Sequence, residues 1–338
     1  MKVFEIQGAF GLDNLKIAER PDPKPGPGQV LIKIKACSIN YRDLLMVNGM
    51  YNPKQPLPLI PLSDGVGQVT AIGDGVKRVK LGDRVAGIFA QKWLSGGYSS
   101  GARSSTLGGP LDGMLAEYVV LDAAGVVKLP EHLTDEEAAC LPCAALTAFN
   151  ALMVQGKTQP GHSVLLLGTG GVSIFGLQFA KAAGARVIIT SSSDEKLERA
   201  KALGADQVIN YKTEPKWDKQ VRKLTDGLGV DSVVEVGGAD TFNKSVNAVR
   251  FGGLVAVIGI LGGVGTEIML TSILMKAVRV HGILVGHREM FEDMNRAVAV
   301  NRLKPVIDKS FPFDQAPEAF ALMGSAKHFG KIVIKFEV

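Results

Sequence analysis

Ser163–Ala183, with the sequence SVLLLGTGGVSIFGLQFAKAA, decides the fold of this chain. A short apolar strand is predicted at Ser163–Leu167 and an amphipathic helix at Val172–Ala183, with a glycine turn between them. Gly168 permits the tight turn, and Gly170 carries no Cβ that would keep a diphosphate from the backbone. The N-terminus of the helix offers free N–H groups and partial positive charge. This context favours a dinucleotide-binding unit over a glycine turn without a ligand.

The rest of the chain divides into two textures. Apolar strands alternate with helices around the glycine turn, which predicts a doubly wound parallel sheet; these further strands are Arg186–Thr190, Gln207–Ile209, Ser232–Val236 and Leu254–Ile258. The first 130 or so residues instead hold short strands between Gly/Pro turns, typical of a β-barrel-like module; they are Gln29–Ala36, Gly65–Ile72, Arg84–Ile88 and Leu115–Val120. Lys331–Val338 returns to β character, and the Gly/Ser-rich Gln91–Gly113 is predicted to be a long surface loop.

Composition excludes several classes of protein. The 338 residues suit two domains, and 46% hydrophobic with 21% charged residues is a globular proportion. The net charge of +5 contains no long basic run, so we expect no nucleic-acid partner. No apolar stretch approaches the ~20 residues of a membrane span, and the N-terminus lacks a secretory signal. Three cysteines cannot form a disulfide framework. We therefore expect a cytoplasmic protein without a membrane partner.

The end of the second strand of the α/β unit indicates which dinucleotide is bound. Sites that prefer NAD place Asp or Glu about 20 residues after the first glycine. Here the window is Thr190–Ser193 (TSSS), and its residues are hydroxylic and uncharged. Ser191 and Ser192 can donate to a 2′-phosphate, and Lys196 can balance its charge. The sequence therefore predicts NADP(H), although the same serines can also cap the next helix.

Over nearly its whole length the chain resembles the medium-chain dehydrogenase/reductase superfamily, and in particular its zinc-independent quinone oxidoreductase branch. Besides the glycine turn, the matching passages are SINYRDLL (38–45), DGVGQVTAI (64–72), GDRV (82–85), PCAALTA (142–148), LGADQVINY (203–211) and GKIVI (330–334). The resemblance implies a GroES-like β-barrel catalytic domain, residues 1–144 and 285–338. It also implies a Rossmann nucleotide-binding domain, residues 145–284.

The resemblance also shows which metal ligands are missing. Zinc alcohol dehydrogenases of this superfamily bind a catalytic zinc through two cysteines and one histidine, and the matching residues here are Asn40, Ser63 and Cys143. Amide and hydroxyl groups are poor zinc ligands. The Gly/Ser-rich loop that corresponds to the four-cysteine lobe of those relatives contains no cysteine. We therefore expect no metal, with Asp64 as the one neighbouring carboxylate that could support a weak site.

A reductase without a metal needs hydrogen-bond donors to stabilise the charge that develops on the substrate oxygen. The resemblance places Asn40 in the active cleft, and we predict that its amide donates to that oxygen. Tyr41 is a second candidate donor, with aromatic packing as its alternative role. Asp43 matches a residue that orients others. The predicted reaction is hydride transfer from NADPH to a quinone or α,β-unsaturated carbonyl, whose conjugation spreads the incoming charge.

The glycine turn and the start of its helix supply the predicted pyrophosphate contacts Gly168, Gly170, Gly171 and Val172. The remaining cofactor contacts are implied by the resemblance alone. They are Thr147 beside the nicotinamide, Tyr211 near the adenosine phosphate, Gly259 and Ile260 at the nicotinamide ribose, Ile283 and Val285 at the carboxamide edge, and Lys331 near the pyrophosphate. Relatives in this family also pair through the edge of the cofactor domain, so we expect a homodimer.

Two alternatives stay open at this point. One is a metal-free alcohol or aldehyde reductase of a small carbonyl, with specificity in Tyr41–Pro56 and in the loop Gln91–Gly113. The other is a non-catalytic NADPH-binding sensor, because the sequence offers no obvious acid or base.

Overall fold

The computed structural model describes residues 1–336, so the last two residues of the predicted strand Lys331–Val338 lie outside the described residues. The chain forms two compact units. The split unit comprises Met1–Leu146 together with the chain from Gly286 onward, and the central unit is Thr147–Val285. Both junctions lie next to the domain boundaries expected at 144/145 and 284/285.

The helices and strands alternate along the chain as follows. The strands are β1 Lys2–Ile6, β2 Leu15–Glu19, β3 Gln29–Ile39, β4 Asp64–Ile72, β5 Arg84–Gly87, β6 Tyr118–Asp122, β7 Val126–Lys128, β8 Ser163–Leu167, β9 Arg186–Ser191, β10 Gln207–Asn210, β11 Val230–Glu235, β12 Val249–Val257, β13 Arg279–Gly282, β14 Ile307–Pro312 and β15 Lys331–Lys335. The helices are α1 Tyr41–Val47, α2 Ser100–Arg103, α3 Asp135–Ala139, α4 Leu146–Phe149, α5 Gly171–Ala182, α6 Asp194–Ala202, α7 Trp217–Leu224, α8 Phe242–Ala248, α9 Leu270–Lys276, α10 Arg288–Val300 and α11 Ala316–Gly324. Two π-helical segments, Leu141–Ala145 and Asn150–Gln155, flank α4.

The central unit is built on one parallel sheet of six strands. Their order is β10-β9-β8-β11-β12-β13, which is the 3-2-1-4-5-6 arrangement of the Rossmann fold. The strands at the centre of the sheet are largely apolar, and Val164, Leu165 and Leu166 of β8 are fully buried, as expected where helices cover both faces. The doubly wound sheet predicted from the sequence is confirmed. Ligands in such sheets bind where the strand order reverses, here at the carboxyl ends of β8 and β11.

The split unit contains a seven-stranded sheet and a separate antiparallel pair, β1 with β2. Six strands follow the order β14-β15-β3-β4-β5-β7, and β6 pairs with β3. The alternation predicted along β3 is present, because Val30, Ile32 and Ile34 are buried in the core. Helix α3 begins at a capping box, with Glu137 N donating to Thr134 Oγ1 over 3.2 Å and Thr134 N donating to Glu137 Oε2 over 2.9 Å.

The segment Gln91–Gly113 differs from the predicted surface loop. It contains the short helix α2, whose N-cap Ser99 accepts a hydrogen bond from Ala102 N at 3.2 Å. Ala102 and Leu107 are almost completely buried. The prediction of a surface loop was therefore wrong for this part of the segment. A four-residue helix is too short to produce a hydrophobic period, and isolated apolar residues among glycines and serines give no local sign that they are buried.

Three strand ends meet at one place in the split unit. β3 ends at Ile39, which is paired with Ile332 of β15, and Ser38 is paired with Asp64 at the start of β4. Asn40 follows β3 directly, and Lys331 is the first residue of β15. This register brings Asn40, Asp64 and Lys331 together although they are far apart in the sequence.

Candidate active site

Asn40 lies at the centre of a buried polar cluster in the split unit. Its Oδ1 accepts a hydrogen bond of 2.6 Å from Lys331 Nζ, and its Nδ2 donates over 3.5 Å to Ser63 Oγ. Lys331 Nζ also donates to Ile39 O at 2.7 Å. We call Asn40, Ser63, Asp64 and Lys331 the Asn40 cluster. Because Oδ1 faces the lysine, the Nδ2 group is directed to the other side, toward Ser63 and Asp64.

Asp64 connects the cluster to the π-helical segment Leu141–Ala145. Its Oδ1 accepts from Ser63 Oγ at 2.7 Å and its Oδ2 accepts from Cys143 N at 3.1 Å. Burial raises the pKa of Asp64 to about 6, while the charge of Lys331 acts in the opposite direction. The Ser63 hydroxyl group therefore donates a hydrogen bond to Asp64, and its oxygen accepts one from Asn40.

Asp43 and Arg42 support the cluster from helix α1. Asp43 is fully buried, and its Oδ2 accepts a hydrogen bond of 2.9 Å from Asn40 N. Its Oδ1 lies 3.4 Å from Arg42 Nη1, and Arg42 also donates to the carbonyl groups of Leu107 and Gly109. Burial raises the pKa of Asp43, and the charge of Arg42 opposes the shift. Asp43 therefore contacts both Asn40 and Arg42, and its orienting role stays a prediction.

Tyr41 is placed differently from Asn40. It is the first residue of α1 and is 38% exposed. Within residues 1–336, no described hydrogen bond joins its hydroxyl group to the Asn40 cluster. A donor role for Tyr41 stays a prediction that this geometry does not favour.

The residues at the matching zinc-ligand positions do not fit a zinc ion. Asn40 Oδ1 is taken by an ammonium group, which would repel a dication, and the Ser63 hydroxyl is used on Asp64. Burial, followed by the nearby charge of Asp64, raises the pKa of Cys143, so its thiol stays protonated at neutral pH. Among the residues that the structure describes, no group of three or more His, Cys, Asp or Glu side chains could hold a metal ion.

The structure places Lys331 in a different setting from the one implied by the resemblance. A contact with the cofactor's pyrophosphate was expected. Instead the side chain is buried, with 2% of its surface exposed, and both of its described hydrogen bonds end in the split unit, on Ile39 O and Asn40 Oδ1. We therefore correct its assignment from cofactor binding to the Asn40 cluster. The sequence showed only a basic residue before a strand, and the partner of Lys331 depends on strand pairing across the chain.

The glycine turn of the central unit has the geometry predicted from the sequence. Gly168 has φ +73°, in the left-handed region, and its N–H donates to Thr190 Oγ1 at 3.3 Å. A Cβ added at Gly168 or Gly170 would meet no protein atom within 4 Å, so the space in front of the turn is open. Gly171 and Val172 begin α5, whose first N–H groups lack helical acceptors. The turn therefore fits a diphosphate.

Ser173 replaces the third glycine of the usual pattern. Its hydroxyl donates to Leu167 O at 2.7 Å, and the side chain is buried between helix and strand. Gly176 supplies the close approach, because a Cβ there would lie 3.0 Å from Leu166 Cδ2. The substitution therefore leaves the contact between α5 and β8 intact.

The end of β9 brings several predicted adenosine contacts together. Ser191 O accepts from Tyr211 N at 3.1 Å, and Ser191 Oγ accepts from Ser193 N at 3.3 Å. Ser193 is the N-cap of α6, with its Oγ accepting from Lys196 N at 3.4 Å. The capping role therefore falls on Ser193, while Ser191 and Ser192 precede the helix. Asp194 is the nearest carboxylate in the sequence, and its Oδ1 accepts from Asn210 Nδ2 at 2.7 Å.

The residues predicted at the nicotinamide follow β12 and β13. Ile283 N donates to Val257 O at 2.9 Å, and Ile283 is buried. Val285 has φ +46°, an outlier for a β-branched residue, and its carbonyl accepts from Asn150 Nδ2 at 2.8 Å. Such strain persists only where surrounding contacts hold it, often at ligand sites. The sequence does not identify Asn150, because it begins the π-helical segment Asn150–Gln155 and a polar residue in a helical segment usually faces solvent.

The other predicted contacts are placed less specifically. Thr147 lies in α4 and is buried. Gly259 N donates to Glu235 O at 3.2 Å, and Ile260 is 44% exposed. The role of Thr147 beside the nicotinamide stays a prediction, as do the roles of Gly259 and Ile260 at the nicotinamide ribose.

Comparison with known proteins agrees with both units. A family model described as the alcohol dehydrogenase GroES-like domain matches residues 26–131, and one described as zinc-binding dehydrogenase matches residues 171–299. A zinc-type alcohol dehydrogenase-like protein of Schizosaccharomyces pombe is 45% identical over 334 residues, which cover 97% of this chain and 96% of the relative. Acryloyl-coenzyme A reductase of Sulfurisphaera tokodaii is 29% identical over 95% of this chain and 96% of its own.

Solved structures give the same result. A candidate alcohol dehydrogenase from Sinorhizobium meliloti 1021 has a TM-score of 0.92 at 42% identity, covering 99% of this chain and 98% of that chain. A structure described as an NAD-dependent alcohol dehydrogenase has a TM-score of 0.89 at 35% identity, with 99% of each chain covered. A mycobacterial protein solved with NADPH has a TM-score of 0.83 at 28% identity, again with 99% of each covered.

These matches define an oxidoreductase built from a GroES-like unit and a Rossmann-type unit. The chain belongs to the medium-chain dehydrogenase/reductase superfamily and is zinc-type alcohol dehydrogenase-like. The names of the relatives do not distinguish the quinone oxidoreductase branch. Within the described part of the chain, no helix is both long and apolar enough to cross a membrane.

Proposed function

We propose that this protein is a zinc-independent, NADPH-dependent reductase of quinones or α,β-unsaturated carbonyls. The observation that carries the proposal is the fixed orientation of the Asn40 amide. Lys331 Nζ holds Oδ1 at 2.6 Å, so the Nδ2 group is the end of the amide that can meet a substrate oxygen. The sensor alternative is disfavoured, because two relatives that align with nearly the whole chain are named as an alcohol dehydrogenase-like protein and as a reductase.

The chain's own residues would stabilise charge on the substrate. When bound, the cofactor supplies the hydride. Asn40 Nδ2 donates a hydrogen bond to the oxygen on which negative charge develops, and a fixed donor in a water-poor site is worth more than one in bulk water. A conjugated acceptor spreads the incoming charge, so this modest donor set suffices. No step requires a metal, in keeping with the donor set found at Asn40, Ser63 and Cys143.

The choice of NADPH rests on the end of β9. The open glycine turn at Gly168 and Gly170 would hold the pyrophosphate, with α5 behind it. The residues that we propose around the 2′-phosphate are Ser191, Ser192, Lys196 and Tyr211. A carboxylate at the strand end would repel that phosphate, and serines stand there instead. One similar structure was solved with NADPH and another is described as NAD-dependent, so the strand end decides the proposal.

Two relatives point to different carbonyl substrates. Acryloyl-coenzyme A is an α,β-unsaturated thioester, and the similarity to its reductase supports an activated alkene as acceptor. The second candidate function is metal-free reduction of a small aldehyde or ketone. It is favoured by the higher identity to proteins named as alcohol dehydrogenases.

A test would follow NADPH and NADH oxidation against quinones, enones, aldehydes and ketones, with and without a chelator. We expect NADPH oxidation with quinones or enones that is unaffected by the chelator. Asn40→Ala should lower kcat while the Kd for NADPH stays unchanged. Asn48→Ala is the matched control, because Asn48 is exposed at the other end of α1. An unchanged kcat in Asn40→Ala, or loss of activity with the chelator, would contradict the proposal.

We also propose a homodimer formed through β13. This strand ends the six-stranded sheet, and all four of its residues are exposed. An exposed strand edge is a template for pairing with a second chain. Exposed apolar side chains lie nearby, at Val264, Met269, Leu270, Leu274 and Met275. By contrast Leu254–Ala256 of β12 belong to the core. Light scattering should give a dimer. Val280→Pro removes an N–H group from the free edge of β13, because Ile283 N and the alternate residues before it face β12, and this variant should yield monomers.

A reducing compartment, most simply the cytoplasm, is proposed as the location. Cys37, Cys140 and Cys143 are unpaired thiols. Burial raises the pKa of both Cys37 and Cys140, so they pack as inert core residues. Fractionation of the native host should place the protein there.

A further inference from the structure

Lys331 is buried to a degree that requires an explanation. Only 2% of its surface is exposed, and lysine is almost never fully buried unless it is paired. Its hydrogen-bond acceptors are neutral groups and not a carboxylate at the surface. Its ammonium group donates to one backbone carbonyl and to one neutral amide, Ile39 O at 2.7 Å and Asn40 Oδ1 at 2.6 Å.

The charges around Lys331 show what the ammonium group balances. Asp64 of the Asn40 cluster and Asp43 beside the cluster are both fully buried. The charge on Arg42 is directed to Asp43 and to two backbone carbonyls, those of Leu107 and Gly109. Lys331 is the cation whose charge most stabilises the ionised form of Asp64. A buried carboxylate without a cation is strongly unfavourable, so Lys331 supplies positive charge that this site needs.

The same lysine determines which way the Asn40 amide faces. Oδ1 must accept from the ammonium group, because an ammonium group is only a donor. On the other side, Ser63 has already given its proton to Asp64 Oδ1 at 2.7 Å and can only accept from Nδ2. A flipped amide would direct NH₂ against the ammonium group and its oxygen against the Ser63 oxygen. Both neighbours therefore exclude the flipped amide.

We propose that Lys331 is a positioning residue for the reduction proposed above, and that its ammonium group takes the place of a metal cation in this site. It fixes Nδ2 as the end of the Asn40 amide that donates, and it keeps positive charge beside the oxygen that receives negative charge. Lys331 does not touch the substrate in this account; it acts through Asn40. The inference rests on the proposed function, since it assigns the orientation of the donor in that reaction.

The experiment compares five variants of this chain, one of them the Asn40→Ala variant described above, in an assay of NADPH oxidation with a quinone and an enone. Lys331→Met removes the charge and the donor while keeping an unbranched side chain. Lys335→Met is the matched control, because Lys335 is on the same strand, its side chain is 53% exposed, and its ion pair within residues 1–336 is the one with Glu136 at 3.7 Å. Asp64→Asn with Lys331→Met removes both charges together. Asn40→Ala with Lys331→Met completes a double-mutant cycle.

Lys331→Met should lower kcat by about 10- to 100-fold, the loss of one hydrogen bond from a charged donor. The Kd for NADPH should stay within about twofold, and Lys335→Met should behave as wild type. If the single variant does not fold, the charge-balanced Asp64→Asn/Lys331→Met variant should fold and show the same loss of kcat. In the Asn40→Ala background, Lys331→Met should lower kcat further by less than about threefold, because the amide that Lys331 orients is absent.

Three results would overturn the inference. The first is full kcat in folded Lys331→Met or in the charge-balanced variant. The second is an additive loss in the double-mutant cycle, which would mean that Lys331 acts independently of Asn40. The third is a wild-type protein that fails to oxidise NADPH with either the quinone or the enone. That result would remove the proposed function and this inference with it. A failure confined to the Lys331 variants leaves the proposed function standing, so the two failures are distinguishable.

Discussion

Replacing Gly170 with alanine separates cofactor binding from folding. Gly170 is the N-cap of α5 with φ −78° and ψ −177°, a conformation that any L residue adopts. A Cβ there would meet no protein atom within 4 Å, so the free energy of unfolding should change by less than about 0.5 kcal/mol. The methyl group would stand where the pyrophosphate approaches the helix. Losing one backbone hydrogen bond to a charged oxygen costs about 1.5–3 kcal/mol, and the Kd for NADPH should rise about 10- to 100-fold.

The assay is fluorescence titration of NADPH, with chemical denaturation of the same samples. Gly265→Ala is the control, because Gly265 is an exposed glycine of the central unit whose added Cβ would also meet nothing within 4 Å. The control should bind NADPH as wild type does. A Gly170→Ala protein with wild-type affinity would refute the placement of the pyrophosphate at this turn. A destabilised Gly170→Ala protein would refute the open space assigned to it.

Three further predictions test the two sites. Ser191→Asp should change the preferred cofactor from NADPH to NADH, because a carboxylate repels the 2′-phosphate. An unchanged ratio of the kcat/KM values for NADPH and NADH would contradict the assignment of the strand end. Burial raises the pKa of Asp64 to about 6, above the ~3.9 of an unfolded aspartate, so its ionisation lowers stability as pH rises between these values. In denaturant titrations the free energy of unfolding of wild type should therefore fall between about pH 4 and pH 7, and Asp64→Asn, which has no carboxyl group to ionise there, should lack that fall. Asn150→Ala leaves the Val285 carbonyl without its donor and should cost about 1–3 kcal/mol of unfolding free energy; an unchanged denaturation midpoint would show that the contact does not hold Val285.

The central unit was the easier part to predict from sequence. Ser163–Leu167 has the same bounds in the prediction and in β8, because an apolar run that ends in a glycine turn is a local signal. The preference expected at the end of β9 likewise depends only on which residues follow one strand. Short-range patterns of this kind carry their own structural meaning.

The Asn40 cluster was harder to predict, because it is held by contacts between distant parts of the chain. Lys331 and Asn40 are 291 positions apart, and their contact follows from the pairing of β15 with β3. Asn150 reaches Val285 across 135 positions. A sequence pattern does not report such pairings, so a resemblance placed Lys331 at a phosphate when it belongs to the amide. The buried part of Gln91–Gly113 could not be predicted either, because isolated apolar residues give no local sign that they are buried.

Isotope transfer tests the central claim most directly. The metal-free protein, with its metal content measured, would be incubated with NADPH carrying deuterium at both C4 positions and with an enone. The account predicts a saturated ketone with one deuterium on the carbon β to the carbonyl, formed at the same rate with and without added Zn²⁺. Deuterium on the carbonyl carbon, an unlabelled product, or a rate that depends on Zn²⁺ would contradict it.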